Sequence, residues 1–506
     1  MSLIELLKSR RPADSQPVAQ ASVSAPFQST RSDARATAPE AVLRGLAPDG
    51  GLYVDPEIAS GDFDVQSCLS LNPLGQSEKI LSRLLPGFGD MGPLVHRAYE
   101  GRFSSEELTP LVPVGEDYVL ELLHGPTAAF KDVALCMLPQ LMTAARGLTG
   151  MKDKTVILTA TSGDTGKAAL EGFHDVPGTG IMVFFPHKGV SAVQEAQMLT
   201  QEGGNVAVCA VQGNFDDCQS AVKQVFSRYA DSAPVPGVRL SSANSINIGR
   251  LAPQVVYYFL AYASLMKQGR IRFGDAVDYV VPTGNFGDII AGWYAKQLGL
   301  PVGRLICASN ANRVLTDFLT TGVYDRRREF FKTSSPSMDI LVSSNLERLL
   351  FYAAGGDTDC VKNDMLRLQN SGYYKISAKA LDFIQKDSPP TAVTRWKLSG
   401  KSAVASPRPA IFPTPTRPSP CMRHSSTRRK RAAALPWWCS PPPRPSSSRL
   451  RSSLLWAKRP RATPSHRWHS SPAFPGWSRR SLSPVCRARR TCTTMSSKRP
   501  TSRSMS

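Results

Sequence analysis

The sequence predicts an α/β fold built on parallel sheets with helices on both faces. Five short β-rich runs are apolar throughout rather than alternating, the pattern of strands buried on both sides. Each run ends in a loop, most of them glycine-bearing, and helical spacing follows, so that strand and helix alternate along the chain. At 506 residues the chain is long enough for two or three lobes around a large core.

The units follow in order. Residues 155–158 (TVIL) form the first run, which ends in 160–166 (ATSGDTG) before a helix near Lys167. Residues 180–185 (GIMVFF) end in 186–189 (PHKG), and residues 206–211 (VAVCAV) end in 213–217 (GNFDD). Residues 279–281 (YVV) lead through 282–287 (PTGNFG) into an amphipathic helix, and 305–308 (LICA) is the fifth strand. Ligands of open parallel sheets bind at the carboxyl ends of the strands, where these loops lie. Far upstream, 45–54 (GLAPDGGLYV) reads as an Asp-Gly-Gly turn and a short strand.

Between these regions stands 123–132 (LHGPTAAFKD). A Gly-Pro turn leads to Lys131, after which Ala134, Leu138, Leu141 and Met142 fall on one helical face. Asp132 sits where a carboxylate favours a helix N-terminus. A lysine that opens a helix is most often a plain surface residue. One set among apolar and small neighbours loses basicity and becomes an amine nucleophile, as a Schiff base requires.

Three loops suit anions. Gly284, Asn285, Phe286 and Gly287 join a strand to a helix, where small residues let backbone N–H groups converge on a phosphate; a structural turn is the competing reading. Ser162, Asp164 and Thr165 stand at another helix start, where Ser or Asp would serve as an ordinary N-cap, or the loop's hydroxyls and N–H groups as donors to a substrate carboxylate or phosphate. Asn244, Ser245 and Arg250 cluster an amide, a hydroxyl and a guanidinium, and arginine binds phosphate in bidentate fashion. Lys188 is a further phosphate candidate, against the plainer reading of a solvated loop lysine.

These runs resemble, in the same order, those of the threonine synthases: GLAPDGGLYV, HGPTAAFKDVAL, ATSGDTG, the NSIN run with Arg250, PTGNFGD, and residues 335–348 (SPSMDILVSSNLER). The resemblance spans about residues 29–385. It implies a fold-type II, tryptophan synthase β-like enzyme dependent on pyridoxal 5′-phosphate (PLP), with a small N-terminal domain. It implies Lys131 as the lysine that carries PLP and serves as catalytic base. Gly284, Asn285, Phe286 and Gly287 would hold the 5′-phosphate, and Asp164 would meet the ring hydroxyl. Ser162 and Thr165 would touch the substrate, and Asn244, Ser245 and Arg250 its phosphate. Residues 335–348 carry no assigned chemistry. The reaction implied is conversion of O-phospho-L-homoserine and water to L-threonine and phosphate. The runner-up is a related lyase acting on another phosphorylated amino alcohol. The expected layout is a disordered leader (1–28), an N-terminal domain (29–102), the PLP-binding catalytic region (103–388) and a disordered tail (389–506).

The formal charge of +21 suggests a nucleic-acid binder until it is mapped. Residues 395–506 hold 25 Lys and Arg and no Asp or Glu, so 36 basic residues face all 40 acidic ones in the body, a net −4. The body reads as an ordinary soluble enzyme, cytoplasmic, monomeric or homodimeric, with no specific nucleic-acid partner. Ten cysteines without CxxC or metal spacing read as reduced thiols. No apolar run approaches the roughly 20 residues of a membrane span.

From about Pro389 the resemblance stops and a Pro/Arg/Ser-rich tail begins. One reading is an inactive product with a basic arm that associates with nucleic acid. Codon degeneracy offers another. Joining the third base of each codon to the first two of the next lets residues from Phe412 onward read S-D-T-H-T-A-V-A-M-H-A. In the same frame, Pro436 to Cys439 permit M-V-V-L, and Ser440 onward A-T-A-S-P-F-K-F. Both resemble closing motifs of the same family, which places a one-base slip near residues 385–392. A chain so altered should lose the cover over apolar faces near 279–350.

Overall fold

The computed structural model describes residues 25–161, 163–213, 215–229, 235–331, 333, 336–387 and 410–414. The strands and helices run β1 (Phe27–Ser29), β2 (Arg35–Ala36), α1 (Ala38–Arg44), β3 (Tyr53–Val54), α2 (Val65–Leu69), α3 (Pro73–Leu84), α4 (Gly92–Tyr99), β4 (Leu111–Val114), β5 (Asp117–Glu121) and α5 (Asp132–Leu148). There follow β6 (Lys154–Ala160), α6 (Asp164–Phe173), β7 (Thr179–Pro186), α7 (Ala192–Leu199), β8 (Val206–Val211), α8 (Phe215–Arg228), β9 (Val238–Ser241) and α9 (Ile248–Lys267). The rest are β10 (Val277–Pro282), α10 (Gly287–Gln297), β11 (Val302–Ala308), α11 (Val314–Thr321), β12 (Val323–Asp325), α12 (Leu346–Ala353), α13 (Thr358–Ser371), β13 (Tyr373–Lys375), α14 (Ala378–Asp387) and β14 (Ala410–Thr414).

The expected parallel α/β architecture is present, divided between two sheets. One has the order β8-β7-β6-β9 and is parallel throughout. The other, β11-β10-β14-β5-β4, is parallel except for β4, which pairs antiparallel at the edge. All five predicted strands are found, as β6, β7, β8, β10 and β11. The N-terminal layer is a small antiparallel sheet, β2-β1-β3, with α1 beside it. Its Asp-Gly-Gly turn is pinned by Asp49, which accepts from the Gly51 N–H at 2.8 Å and from Ser29 Oγ at 2.8 Å. One apolar core runs from Phe27 to Ile384, so N-terminal and catalytic residues share a single buried cluster.

Three expectations need correction. The leader ends before residue 28, because Phe27 and Gln28 already lie in β1, with Phe27 buried; residues 1–24 lie outside the described residues. The tail is not wholly outside the fold, because β14 lies between β5 and β10. Without it both neighbours would present unpaired backbone groups in the sheet interior, a costly arrangement that any β-forming stretch relieves. Ile411 and Phe412 make 410–414 such a stretch; residues 388–409 and 415–506 lie outside the described residues. Nor are the faces near 279–350 generally bare: Tyr279 and Val281 are fully buried, and among the described residues the exposed large apolar side chains there are Phe330, Phe331 and Val342.

Candidate active site

The site forms where carboxyl ends of both sheets meet. From β5 the chain runs to Lys131, which is the N-cap residue of α5 and is buried. The start of α5 lacks a side-chain cap. Asp132 instead turns its carboxylate back on the preceding loop, accepting from Thr127 N at 2.8 Å, Thr127 Oγ1 at 2.5 Å and Ala129 N at 3.3 Å. These bonds fold the 125–132 loop and hold Lys131 still. Its Nζ lies 4.4 Å from the centre of the Phe130 ring and 3.6 Å from Asp164 Oδ2, and it is buried without a hydrogen bond.

Burial lowers the Lys131 pKa; Arg250 and Lys167 add to the effect, while Asp164 opposes it. Burial pushes the Asp164 carboxyl up, but Lys131, Lys167 and hydrogen bonds from Ser337 and Gln194 outweigh it and hold the group below the usual carboxylate range. Gln194 Nε2 donates to Oδ1 at 2.7 Å and Ser337 Oγ to Oδ2 at 2.9 Å. Lys167 Nζ donates to the Thr127 carbonyl at 2.7 Å, joining α6 to the lysine loop.

Two anion loops complete the cluster. After β10, Phe286 takes a left-handed φ of 62° and caps α10, whose first amides have no partner within the helix. Gly284 is required: a Cβ there would lie 2.6 Å from the Ser337 carbonyl oxygen. After β9, Asn247 caps α9, and Arg250 is buried in its first turn. Arg250 Nη1 donates to the Ala243 carbonyl at 2.7 Å while its buried Nε has no partner, and burial lowers its pKa to about 10. Asn345 Nδ2 links the loops, donating to Ser245 Oγ at 2.8 Å and to the Asn285 carbonyl at 3.0 Å.

The structure thus gathers Lys131, Asp164, Ser245, Arg250 and the loop of Gly284, Asn285, Phe286 and Gly287. Thr165 lies half-buried in the first turn of α6, and Asn244 half-buried at the mouth of its loop. Lys188 is exposed in the turn after β7, and no described contact brings it to the cluster. Ser162 lies outside the described residues. Sequence reasoning missed Gln194, Lys167, Ser337, Asn345 and Asp288. The Asp288 carboxyl accepts from Tyr257 at 2.6 Å and Tyr258 at 3.0 Å, and burial raises its pKa to about 6. Ser337 and Asn345 stood in a run already noted as distinctive; Gln194 gave no local signal.

Comparison with known proteins agrees with this geometry. Residues 106–361 match the profile of a family described as "Pyridoxal-phosphate dependent enzyme". Human threonine synthase-like 1 is 40% identical over 385 residues, 72% of this chain and 50% of that protein. Threonine synthase of Pseudomonas aeruginosa is 41% identical over 354 residues, 68% of this chain and 72% of that one. The crystal structure of PLP-bound threonine synthase from Brucella melitensis superposes with a TM-score of 0.66 at 37% identity, covering 77% of this chain and 88% of that one. Fold and site together define a PLP-dependent enzyme. The chain belongs, within that class, to the threonine synthase family. It spans half the length of the threonine synthase-like 1 proteins it matches.

The residues present fit the cofactor. Two buried nitrogens among the described residues, Lys131 Nζ and Arg250 Nε, make no hydrogen bond, although Lys131 keeps the ion pair with Asp164; a buried donor left so costs about 1–3 kcal/mol. A phosphorylated aldehyde and an anionic substrate offer what both lack.

Proposed function

We propose that the chain converts O-phospho-L-homoserine and water to L-threonine and phosphate. The observation that carries this reading is the Lys131 amine, buried and unbonded 3.6 Å from Asp164, at the meeting point of two anion-ready loops. Gly284, Asn285, Phe286 and Gly287 would hold the 5′-phosphate of PLP on their amides, and Asp164 would face the ring hydroxyl. Bound there, PLP supplies an electron sink for charge at Cα. The chain supplies the rest. Lys131, with its basicity lowered by burial, takes the proton from Cα and then serves at Cβ. Asn244, Ser245 and Arg250 hold the substrate phosphate and neutralise its charge as it leaves from Cγ. Lys188 joins them only if its loop closes inward. Thr165 and Ser162 hold the amino-acid end of the substrate.

We place the protein in the cytoplasm as a monomer or homodimer. No helix among the described residues is long and apolar enough to cross a membrane. We also read residues 389–506 as translated out of frame. Support comes from the two hidden-frame motifs, which lie in one shared frame and in the family's order. Resequencing around codons 385–392 tests this; an unbroken frame would refute it.

The activity is tested by phosphate release from O-phospho-L-homoserine, measured beside O-phosphoserine and O-phosphothreonine, for the 506-residue chain and a frame-restored one. The restored chain should favour phosphohomoserine, and Arg250→Ala should both raise KM and lower kcat, since the guanidinium holds the phosphate and neutralises it as it leaves. Equal rates on all three compounds, or none on phosphohomoserine, would refute the substrate assignment.

A further inference from the structure

The distinctive run that ends in Asn345, Glu347 and Arg348 has a role the reaction scheme does not use. Asn345 is the N-cap residue of α12, yet its side chain makes no capping hydrogen bond. Asparagine at this position ordinarily serves the helix's own amides. Here it reaches outward and is fully buried. Arg348, also fully buried, donates from Nη1 to Asn345 Oδ1, which fixes the amide so that Nδ2 faces the two anion loops. The other Arg348 donors go to carbonyls, Tyr53 at 3.1 Å and Ile246 at 2.6 Å, so the guanidinium ties β3 to the Ser245 loop. Glu347 fixes the same turn to the N-terminal layer, pairing with Arg31 at 2.7 Å and accepting from Thr30 Oγ1 at 2.6 Å.

We propose that Asn345 is a positioning residue that orients one donor in each anion loop. Ser245 Oγ accepts from Asn345 Nδ2 at 2.8 Å, which leaves the Ser245 hydroxyl proton free to point at an anion. The Asn285 carbonyl accepts from both Asn345 N at 3.1 Å and Nδ2 at 3.0 Å. A trans peptide directs its N–H opposite its C=O, so pinning that carbonyl aims the Phe286 N–H away from Asn345, to the side where the 5′-phosphate would be held. One amide thereby sets the donors for cofactor phosphate and substrate phosphate together. This rests on the reading of those two loops given above.

The test is equilibrium binding of PLP to the full chain, followed by fluorescence quenching, with KM for O-phospho-L-homoserine as a second readout. Asn345→Ala should weaken PLP binding about ten-fold, the contribution of one well-aimed hydrogen bond to a charged group, and should raise KM as well. Asn345→Asp keeps shape and the bond from Arg348 but cannot donate, so it should fail in the same way. Variants that melt lower yet bind PLP as wild type does, or an Asp variant that restores binding, would show a purely structural role and overturn the proposal. If neither variant folds, Ser245→Ala decides: with the loops coupled through Asn345 it weakens PLP binding several-fold, and unchanged affinity overturns the coupling. A frame-restored chain with Asn345 intact that binds no PLP refutes the cofactor reading itself, an outcome distinct from the others.

Discussion

Lys131 sits where an ammonium is poorly solvated and a neutral amine is stabilised. Burial works against the charge, Arg250 and Lys167 add to it, and Asp164 only partly offsets it. Lys131→Ala should therefore remove the base and cut kcat by about 10²–10⁴-fold, in the range for positioned proton transfer, while leaving the fold intact by circular dichroism. Asp288 gives a pH test of the same environment. Its folded pKa, raised to about 6, lies above the unfolded value, so the folded state holds the proton more tightly. The Asp288 contribution to stability is then full below pH ~4 and falls as pH rises to about 6. Asp288→Asn, which can still accept from Tyr257 and Tyr258, should raise Tm at pH 8 and leave it unchanged near pH 4. Equal Tm gains at both values would show that charge is not the cause. Lys131, Asp164, Ser245 and Arg250 could be picked out as candidates because each lies in a short run whose chemistry is local. Gln194 and Ser337 were not, because they reach Asp164 across 30 and 173 residues.

At the scale of elements, the lysine-bearing helix and its neighbour are set by close backbone approach. Gly172 in α6 lies so near the Leu135 carbonyl of α5 that a Cβ would collide with it. Gly172→Ala should lower Tm by forcing these helices apart, a cost of about 1–3 kcal/mol for overpacking. Gly284→Ala meets the Ser337 backbone instead, and should loosen PLP binding more than it lowers Tm, as a titration against thermal melts would reveal. Four of the five strands read from sequence are largely buried, as two covered faces demand, while β8 at the sheet edge is only half-buried. β5 and β9 escaped that reading because their burial alternates or is broken by polar residues, as in Asp117–Glu121 and Val238–Ser241. The division into two sheets was equally hidden, since a periodic pattern does not state which strands pair.

Over the whole molecule, the N-terminal layer behaves as a wall of the site rather than an appendage. Asn247 Nδ2 donates to the Val42 carbonyl at 2.9 Å, and Glu347 and Arg348 bind the same layer through Arg31 and the Tyr53 carbonyl. The central sheet depends in turn on β14, which fills the slot between β5 and β10. A chain ending at residue 387 should leave both neighbours as bare edges, prone to pair with other chains. It should melt lower and aggregate sooner than a chain ending at residue 420, as light scattering during a thermal ramp would measure. The tail that sequence patterning set apart from the fold thus contributes a strand, because a gap in a sheet selects for backbone geometry more than for apolar periodicity.

The most direct test is borohydride reduction of the PLP-supplemented chain, with the modified peptide located by mass spectrometry. A cofactor-sized adduct on Lys131, absent from Lys131→Ala, is the expected result. An adduct on any other lysine, or none at all, would contradict the assignment of the buried amine as the cofactor's anchor.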